Sequence, residues 1–392
     1  MRKVYLDHAA TTPVREEVLE AMLPYFSQQF GNPSSIHGYG REIRKVVEDA
    51  REKCRELLSI SSGDIYFTSG GTEADNIAIL GAAEALGKKG NHIITSAVEH
   101  HAVLDTCKFL EKKGYNVTVL PVDQDGLISP DSLAQVITDK TILVTIMHAN
   151  NEVGTIQPIQ ELAAVARQHG VLFHSDGVQA VGQIPINMDE LGVDMYTISG
   201  HKIYGPKGMG ALYLRKGAKV RALSHGGAQE GRVRPGTENV PGIIGLTRAL
   251  ELAVAEQQQL AEKLLPLRQK LITGLTALSD VTLNGHPRLR LPNNVNISVD
   301  RVEGESLILS LDMAGIAVSS GSACTSGELE PSHVLMAMGL DHQTAHGSLR
   351  MTMGRSTSEQ DIDYVLDVVP GIIERLRDMS PLKGEGGKKS VQ

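Results

Sequence analysis

The stretch SGHKIYGPKG, residues 199–208, sets the fold prediction for this sequence. It continues from MYTIS, residues 195–199, a short apolar run of strand-forming residues. Lys202 therefore stands just past a predicted buried strand, next to a glycine, a histidine and a tyrosine. A lysine in this position is either a solvated charge at the end of a strand or an amine held for covalent chemistry.

Six further runs of this kind occur along the chain. They are DIYFTSG (64–70), HIITS (92–96), VTVLPV (117–122), TILVTIMH (141–148), VLFHS (171–175) and GALYL (210–214). Most of them are separated by a segment long enough for a helix, which is the pattern of βαβ units. We predict an α/β fold with a mainly parallel, seven-stranded sheet that helices cover on both faces.

A smaller α/β unit is predicted to follow a long helical stretch over residues 245–278. Pro266 is expected to interrupt that helix, because proline lacks a backbone donor and kinks or ends helices. We place residues 15–258 in the large unit, and residues 1–14 and 259–392 in the small one.

Within the small unit the pattern predicts several elements. Strands are expected over residues 294–299 and around 349–353, with a helix over residues 305–313. The last helix is predicted to begin with a capping box of Ser356 and Glu359. The polar, glycine-rich tail, residues 383–392, is expected to be disordered.

Composition and charge limit the class of protein. The 392 residues include 38 basic and 46 acidic side chains, and the formal charge of -8 argues against general nucleic-acid binding. The sequence shows no signal-peptide pattern and no apolar run long enough for a membrane span. Three cysteines are too few for a disulfide framework and fit a reducing compartment. We expect a soluble cytoplasmic protein.

The three cysteines have different surroundings. Cys54 and Cys107 lie among apolar residues at spacings of three and four, so each is predicted to be a small buried side chain on a helix face. Cys324 lies in SSGSACTSG, residues 319–327, where serines and glycines replace any apolar pattern. A thiol in such a loop is either an incidental surface group or a reactive one, and its placement alone favours neither.

Polar groups follow the predicted strands directly, and sites in parallel sheets gather at the carboxyl ends of strands. SGGTEADN (69–76) opens a helix whose amides, with the Thr72 hydroxyl, could hold a phosphate, although it could equally be a tight connection. In HSDGVQ (174–179), Asp176 could keep a pyridine nitrogen protonated or could cap the next turn. EHHA (99–102) offers imidazoles that could stack on a planar ring or move a proton. The histidine pair could also bind a metal, but this is less well supported, because no other group of Cys, His and carboxylate residues has the spacing of metal ligands.

Taken in order, nine motifs of this chain resemble those of the group I cysteine desulfurases, the NifS and IscS type. They are YLDHAATTP (5–13), GNPSSIH (31–37), TSGGTEADN (68–76), VEHHA (98–102), NNEVGTIQP (150–158), HSDGVQ (174–179), SGHKIYGPKG (199–208), GGAQEGRVRPGTEN (226–239) and SSGSACTSG (319–327). Each motif is weak or moderate alone, but their ordered coincidence over nearly the whole chain is specific. Ala228 stands where family members often carry a third glycine, and we expect it to alter a turn slightly.

The resemblance implies pyridoxal phosphate fold type I, in the class V aminotransferase family. It implies that Lys202 holds pyridoxal 5'-phosphate covalently and moves the α-proton of the substrate. His100 would stack on the cofactor ring and assist proton transfers. Asp176 would pair with the pyridine nitrogen, and Gln179 with the ring hydroxyl.

The resemblance also implies which residues hold the phosphate and the substrate. The phosphate would be held by Gly71, Thr72, Ser199 and His201, joined by Thr237 from the second subunit of a homodimer. Asn151, beside the cofactor, and Arg350 would hold the carboxylate of L-cysteine. A guanidinium suits that task because it can donate two parallel hydrogen bonds.

The function that the resemblance implies is cysteine desulfuration. Cys324, on a mobile loop of about residues 319–332, would take the sulfur of L-cysteine as a persulfide and leave L-alanine. The sulfur would pass to an iron–sulfur scaffold or another acceptor protein, for cluster assembly or tRNA thiolation. No intrinsic metal is expected, although Cys324 could be a transient cluster ligand with a scaffold.

Three alternatives remain at this point. One, an incidental thiol on an unrelated α/β enzyme, is disfavoured by the ordered motifs. A selenocysteine lyase or an aminotransferase of the same family predicts that Cys324 is dispensable. A non-enzymatic iron or sulfur carrier would leave Lys202, Asp176 and His100 without a purpose.

Overall fold

The structure is a computed structural model that describes residues 2–320 and 331–379. Seven strands form one sheet, in the spatial order Asp64–Thr68, Gly210–Leu214, Met195–Ser199, Leu172–Asp176, Thr141–Thr145, His92–Ser96 and Asn116–Leu120. The strand Gly210–Leu214 runs antiparallel to both neighbours, and the other pairs are parallel. The predicted α/β fold with a mainly parallel seven-stranded sheet is confirmed.

Several predicted strands end earlier in the structure than in the sequence pattern. The regular strands in the runs 64–70, 117–122 and 141–148 end at Thr68, Leu120 and Thr145. The residues beyond these points lie at the carboxyl edge of the sheet, where Ile146 and His148 still donate to main-chain oxygens of the strand Leu172–Asp176 at 3.1 and 2.8 Å. This edge is where the polar motifs are found.

Helices cover both faces of the sheet. They are Glu16–Met22, Pro24–Ser27, Gly38–Leu57, Gly71–Leu86, His101–Glu111, Pro130–Val136, Ile159–Gln168, Met188–Leu191 and the first part of Val240–Thr276. Successive residues of one strand enter different apolar clusters: Leu143 lies in the cluster that contains residues of the helix Gly71–Leu86, and Val144 lies in the larger cluster that contains residues of Gly38–Leu57. This alternation follows from the two-residue period of a strand.

A second apolar core lies outside the large sheet. Its strands are Val281–Leu283, Asn294–Val299 and Ser348–Thr352, which pair antiparallel, and Val4–Tyr5, which pairs parallel with Ile316–Ala317. Its helices are Gly304–Met313 and Glu359–Met379. The short helices His333–Ala337 and His342–His346 pack in a separate small apolar cluster with Val98 and Val153. Val4 and Leu6 are buried in the second core, so the start of the chain packs with its C-terminal part. None of the helices in the described ranges is long and apolar enough to cross a membrane.

One helix, Val240–Thr276, connects the two cores. Its first residues, up to Leu250, pack under the large sheet, and Leu264 to Leu275 pack in the second core. The predicted interruption at Pro266 is wrong, because the helix continues through it. Leu264 and Leu267 on either side are buried, and this burial offsets the missing backbone hydrogen bond.

The last helix does begin with a capping box, but two residues later than predicted. Ser358 Oγ accepts from the Asp361 amide at 3.3 Å, and Asp361 Oδ2 accepts from the Ser358 amide at 2.9 Å. Glu359 instead accepts a hydrogen bond from Lys270 at 2.8 Å. The Ser356–Glu359 prediction is wrong because the same three-residue spacing recurs from Ser358, where the helix starts.

Candidate active site

A cavity of about 310 Å³ opens at the carboxyl edge of the large sheet. Its wall includes ten residues that the sequence analysis assigned to the site: Gly71, Thr72, His100, Asn151, Asp176, Gln179, Ser199, His201, Lys202 and Arg350. Thr237 is not in this wall and lies exposed on the loop 226–239. Cys324, most of the predicted loop 319–332 and the tail 383–392 fall outside the described residues.

Two neighbouring strands deliver the central residues. Asp176 ends the strand Leu172–Asp176, and Ser199 ends Met195–Ser199 and leads into the short helical turn that contains Lys202. The strands are parallel partners, so their ends meet at one edge. Gly177 permits the turn after Asp176, since a Cβ atom there would lie 2.0 Å from the Tyr196 ring.

The Lys202 amine points towards the N-terminal segment of the chain. Its Nζ donates to the main-chain oxygen of Ala10 at 2.8 Å and to that of Ala9. Thr12 fixes the same segment, because its amide and its hydroxyl both donate to the His201 main-chain oxygen, at 3.0 and 2.8 Å. No role was assigned to residues 7–12 from the sequence, although they are part of the first motif. They are one of the functional elements that sequence reasoning missed.

Two buried carboxyl groups lie at the centre of the cavity. Burial raises the pKa of Asp176 to about 6, against the lowering effects of the Val178 amide, which donates to it at 2.9 Å, and of the Lys202 charge. Burial, with the charge of Asp176, raises the pKa of Asp75 well above its usual value. The negative charge therefore resides on Asp176 near pH 7, and Asp75 is protonated.

His100 is a neutral imidazole at the cavity wall. It caps the helix His101–Glu111, where its Nδ1 accepts from the Ala102 amide at 3.1 Å. Burial, the nearby Lys202 charge and His101 together lower the pKa of His100 to about 4. With Nδ1 accepting, the ring proton of the neutral form is on Nε2, which makes that atom a hydrogen-bond donor.

The opposite end of the cavity offers neutral donors for an anion. The helix Gly71–Leu86 begins without a side-chain cap, and Thr72 and Ser199 line the space in front of its first amides. His201 Nδ1 lies 3.1 Å from Thr11 Oγ1, and burial and the Lys202 charge lower the pKa of His201 to about 4. A helix N-terminus with hydroxyls and a neutral imidazole suits a phosphate group.

Arg350 enters the cavity from the second core. Its Nη1 donates to the Asn151 main-chain oxygen at 3.1 Å, and its Nη2 to Asp7 Oδ1 at 3.0 Å. The side chain is 3% exposed, and its Nε is buried with no hydrogen-bond partner among the described residues. A buried guanidinium with an unused donor is suited to bind a carboxylate.

A buried carboxyl group, Glu152, adjoins Asn151 and was missed by the sequence analysis. Glu152 Oε2 accepts from the Ser332 hydroxyl at 2.5 Å, and Ser332 also caps the helix His333–Ala337. Burial raises the pKa of Glu152 to about 7, whereas Ser332 and the Arg350 charge lower it. The sequence feature that could have identified Glu152 is its position in the motif NNEVGTIQP, directly after the predicted site residue Asn151.

A second missed carboxyl group, Glu99, adjoins His100. Glu99 Oε1 accepts from the Ser96 hydroxyl at 2.6 Å and from the Met147 amide at 2.9 Å. Its main-chain oxygen lies 2.9 Å from His333 Nε2. Burial raises the pKa of Glu99 to about 8. Glu99, next to His100, thus contacts Met147 of the cavity wall and His333, the first residue of the helix His333–Ala337.

The two cysteines that the structure describes are buried, as predicted. Burial raises the pKa of Cys54 to about 11 and that of Cys107 to about 12, so neither forms a thiolate near pH 7. In residues 2–320 and 331–379, no group of three or more His, Cys, Asp or Glu side chains could hold a metal ion.

Comparisons with known proteins give consistent results. A family profile described as aminotransferase class-V matches residues 4–365. A protein named cysteine desulfurase IscS, from Dictyoglomus turgidum, is 56% identical over 385 residues, which is 98% of each chain. A structure titled NifS-like protein superimposes with a TM-score of 0.90 at 40% identity, covering 96% of this chain and 100% of the other. A structure titled SspA in complex with cysteine has a TM-score of 0.79 at 36% identity, covering 90% and 99%.

Proposed function

The chain belongs to the class-V aminotransferase family, and from that membership we propose that it is a cysteine desulfurase dependent on pyridoxal 5'-phosphate. The names of its relatives support this activity. The observation that carries the proposal is one cavity that joins Lys202, Asp176 and Arg350. The Cys324 segment, residues 321–330, is flanked by Ser319, which bonds to Arg350 of the cavity wall, and by Ser332, which bonds to Glu152 beside the wall residue Asn151.

The cavity residues fit the cofactor. Asp176 is a buried, charged carboxylate that requires a cationic partner, which a protonated pyridine nitrogen would provide. The uncapped helix at Gly71 accepts a phosphate, and a Cβ there would lie 2.9 Å from Val178 Cγ2, so the glycine keeps the space open. When bound, the cofactor withdraws electrons from the substrate and weakens its Cα–H bond.

The proposal gives the assigned residues the following tasks. Lys202 would hold the cofactor covalently, and its Nζ would take the α-proton, where the Ala9 and Ala10 oxygens can accept from the ammonium. His100 would lie against the ring and could donate from Nε2, and Gln179 would pair with the ring hydroxyl. Gly71, Thr72, Ser199 and His201 would hold the phosphate.

Substrate binding falls to Arg350 and Asn151, which hold the α-carboxylate of L-cysteine. The Cys324 thiolate then attacks the sulfur of the substrate, and a sulfur–sulfur bond forms. The bond from that sulfur to the substrate carbon breaks, its electron pair stays with the carbon, and protonation gives L-alanine. A free thiol is only a few per cent ionised at pH 7, so the site has to favour the thiolate.

The anchors of the Cys324 segment support its access to the substrate. Before the segment, Ser319 exchanges two backbone hydrogen bonds with Arg350, at 3.2 and 2.7 Å. After it, Ser332 donates to Glu152, and His333 contacts the Glu99 main chain. Cys324 is five residues from Ser319, so the chain can carry it no further than about 18 Å away. Both anchors adjoin residues of the cavity wall.

We further propose a homodimer in which Thr237 of a second copy completes the phosphate site. An apolar face of exposed side chains would be covered by that copy: Leu19, Leu23, Phe26, Phe30, Ile36 and Tyr39. The loop 226–239 adjoins this face, because Ala228 and Pro33 line one cavity of about 450 Å³. Glu230, bound to Arg51 at 2.8 and 3.0 Å, holds the loop in place.

The dimer is tested by Phe30→Asp, which places a charge in the proposed interface. We expect the wild type to sediment as a dimer and the variant as a monomer with weaker cofactor affinity. A wild type that is monomeric with its cofactor bound would contradict the proposal.

Other parts of the assignment depend on the sequence alone. Transfer of the sulfur to an iron–sulfur scaffold or another acceptor, and a cytoplasmic location, remain predictions. The selenocysteine lyase and aminotransferase alternatives have no observation in their favour here. They differ from the proposal in whether Cys324 is needed.

The deciding experiment measures alanine and sulfide formed from L-cysteine with a thiol reductant present. We expect equal molar yields from the wild type and almost none from Cys324→Ala that retains its cofactor absorbance. Cys54→Ala is the matched control, and should keep its turnover once folded, since Cys54 is buried away from the cavity. Full turnover by Cys324→Ala would favour the lyase or aminotransferase alternative.

A further inference from the structure

The N-terminal segment 7–12 contacts the cavity at several of its functional groups. Its main-chain oxygens accept from Lys202 and, at 3.1 Å, from Gln179, and Thr11 contacts His201. At its start, Asp7 forms a salt bridge of 3.0 Å with Arg350. The backbone holds Asp7 in place, because it forms an isolated parallel bridge with Thr352, two residues after Arg350. The segment therefore has a fixed carboxylate aimed at the guanidinium.

Asp7 is the one acidic side chain within salt-bridge distance of Arg350 among the residues described. The Arg350 side chain is 3% exposed and that of Asp7 is 20% exposed, so solvent screens the pair only partly. Asp7 occupies one N–H of Nη2, and the Asn151 oxygen occupies one of Nη1. The remaining donors of the guanidinium, Nε included, are left for one more carboxylate.

The charge around the cavity limits which amino acid can bind. The cations in its described wall are Lys202 and Arg350, and the acids are Asp75 and Asp176. In the proposed function Lys202 is bonded to the cofactor, and Arg350 already forms a salt bridge with Asp7. A substrate with a second carboxylate on its side chain would bring a second negative charge to a wall without a cation for it.

We propose that Asp7 is a specificity-determining residue, which positions and neutralises Arg350 so that the cavity accepts amino acids with one carboxylate and rejects those with two. This inference rests on the proposed function only in taking the ligand to be an α-amino acid. It predicts that the selectivity depends on the charge of Asp7, and that the position of Arg350 depends on the shape of Asp7.

Two substitutions separate charge from shape. Asp7→Asn keeps an acceptor for Arg350 Nη2 and removes the charge, whereas Asp7→Ala removes both. Asp139→Asn, at an exposed acid in a turn, is the matched control for a changed net charge. The ligands are L-alanine, with one carboxylate, and L-aspartate, with two. Binding is measured by calorimetry on the protein with its cofactor, which requires no turnover.

The measured quantity is the ratio of the dissociation constant of L-aspartate to that of L-alanine. We expect Asp7→Asn to lower this ratio by on the order of tenfold, because one negative charge a few ångströms away is removed. Asp139→Asn should leave it unchanged. Asp7→Ala should also weaken the binding of L-alanine several-fold relative to Asp7→Asn, since Arg350 loses its positioning contact.

An unchanged ratio in Asp7→Asn, or equal weakening of both ligands in both variants, would overturn the inference and leave Asp7 a structural residue. A separate measurement, the turnover of L-cysteine, shows whether the proposed function itself fails. In that case the wild type makes no alanine and sulfide from L-cysteine, while the ratio of the two dissociation constants can still respond to Asp7→Asn.

Discussion

The two sides of the cavity are built differently. The cofactor side, with Asp176, Ser199 and Lys202, comes from the ends of two adjacent buried strands of one sheet. On the substrate side, Arg350 comes from the second core and meets Asp7 across 343 residues of sequence. The positions of the cofactor-side residues are thus set within one sheet. The position of Arg350 on the substrate side depends on how the second core packs against the first. We expect changes on the cofactor side to abolish chemistry and changes on the substrate side to alter binding.

Lys202→Ala should have the largest effect. It removes the amine that we propose takes the α-proton, and we expect a loss of turnover of at least about a thousandfold. The measurement is alanine formation from L-cysteine, with circular dichroism to show that the fold is kept. Lys216→Ala, at an exposed lysine, is the control. If Lys202→Ala turned over within tenfold of the control, the cofactor side would not carry the chemistry.

Arg350→Lys should separate the two sides most clearly. Lysine keeps the charge but cannot donate two parallel hydrogen bonds to a carboxylate, so we expect KM for L-cysteine to rise by roughly 10- to 100-fold. The turnover number should change much less, because the cofactor side is intact. An unchanged KM with a lower turnover number would place Arg350 in the chemistry and would remove the distinction between the sides.

A smaller effect is expected from Ser332→Ala, which breaks the contact between Glu152 and the helix after the Cys324 segment. Loss of one hydrogen bond to a buried carboxyl group is expected to slow sulfur transfer by about tenfold while leaving KM unchanged. Ser306→Ala is the matched control, since Ser306 donates to the exposed Glu303 at the start of another helix. Equal rates for the two variants would show that this anchor does not affect catalysis.

Glu99→Gln should affect stability more than activity. Folding raises the pKa of Glu99 from 4.5 to about 8, so the folded state holds the proton more tightly and stability falls as pH rises between those values. Glutamine does not titrate, so the free energy of unfolding of the wild type relative to the variant should fall by on the order of 3 kcal/mol from pH 5 to pH 8.

Urea unfolding of both proteins across this pH range tests the prediction for Glu99. A constant difference in the free energy of unfolding between wild type and variant would mean that Glu99 does not hold its proton in the folded state.

The same contrast explains what the sequence could predict. The positions of Asp176, Ser199 and Lys202 in the site could be predicted from the sequence. Each residue ends or follows an apolar run, and parallel strands bring such ends together. The pairings of Asp7 with Arg350 and of Glu152 with Ser332 span 343 and 180 residues, and no local period encodes them.

Two predictions from local sequence patterns, the interruption at Pro266 and the capping box at Ser356, were wrong. The helix passes Pro266 because the flanking leucines are buried in the second core, and the pattern around a proline does not show where that core lies. The capping box lies at Ser358 because the same spacing occurs twice and only the helix start selects between the two.

The most direct test of the central claim is to locate the transferred sulfur. The holoenzyme is treated with L-cysteine without reductant, its thiols are blocked, and its peptides are analysed by mass spectrometry. We predict one added sulfur atom on the peptide that contains Cys324, and none on those with Cys54 or Cys107. Alanine formed without any sulfur on Cys324 would contradict the claim that Cys324 receives it.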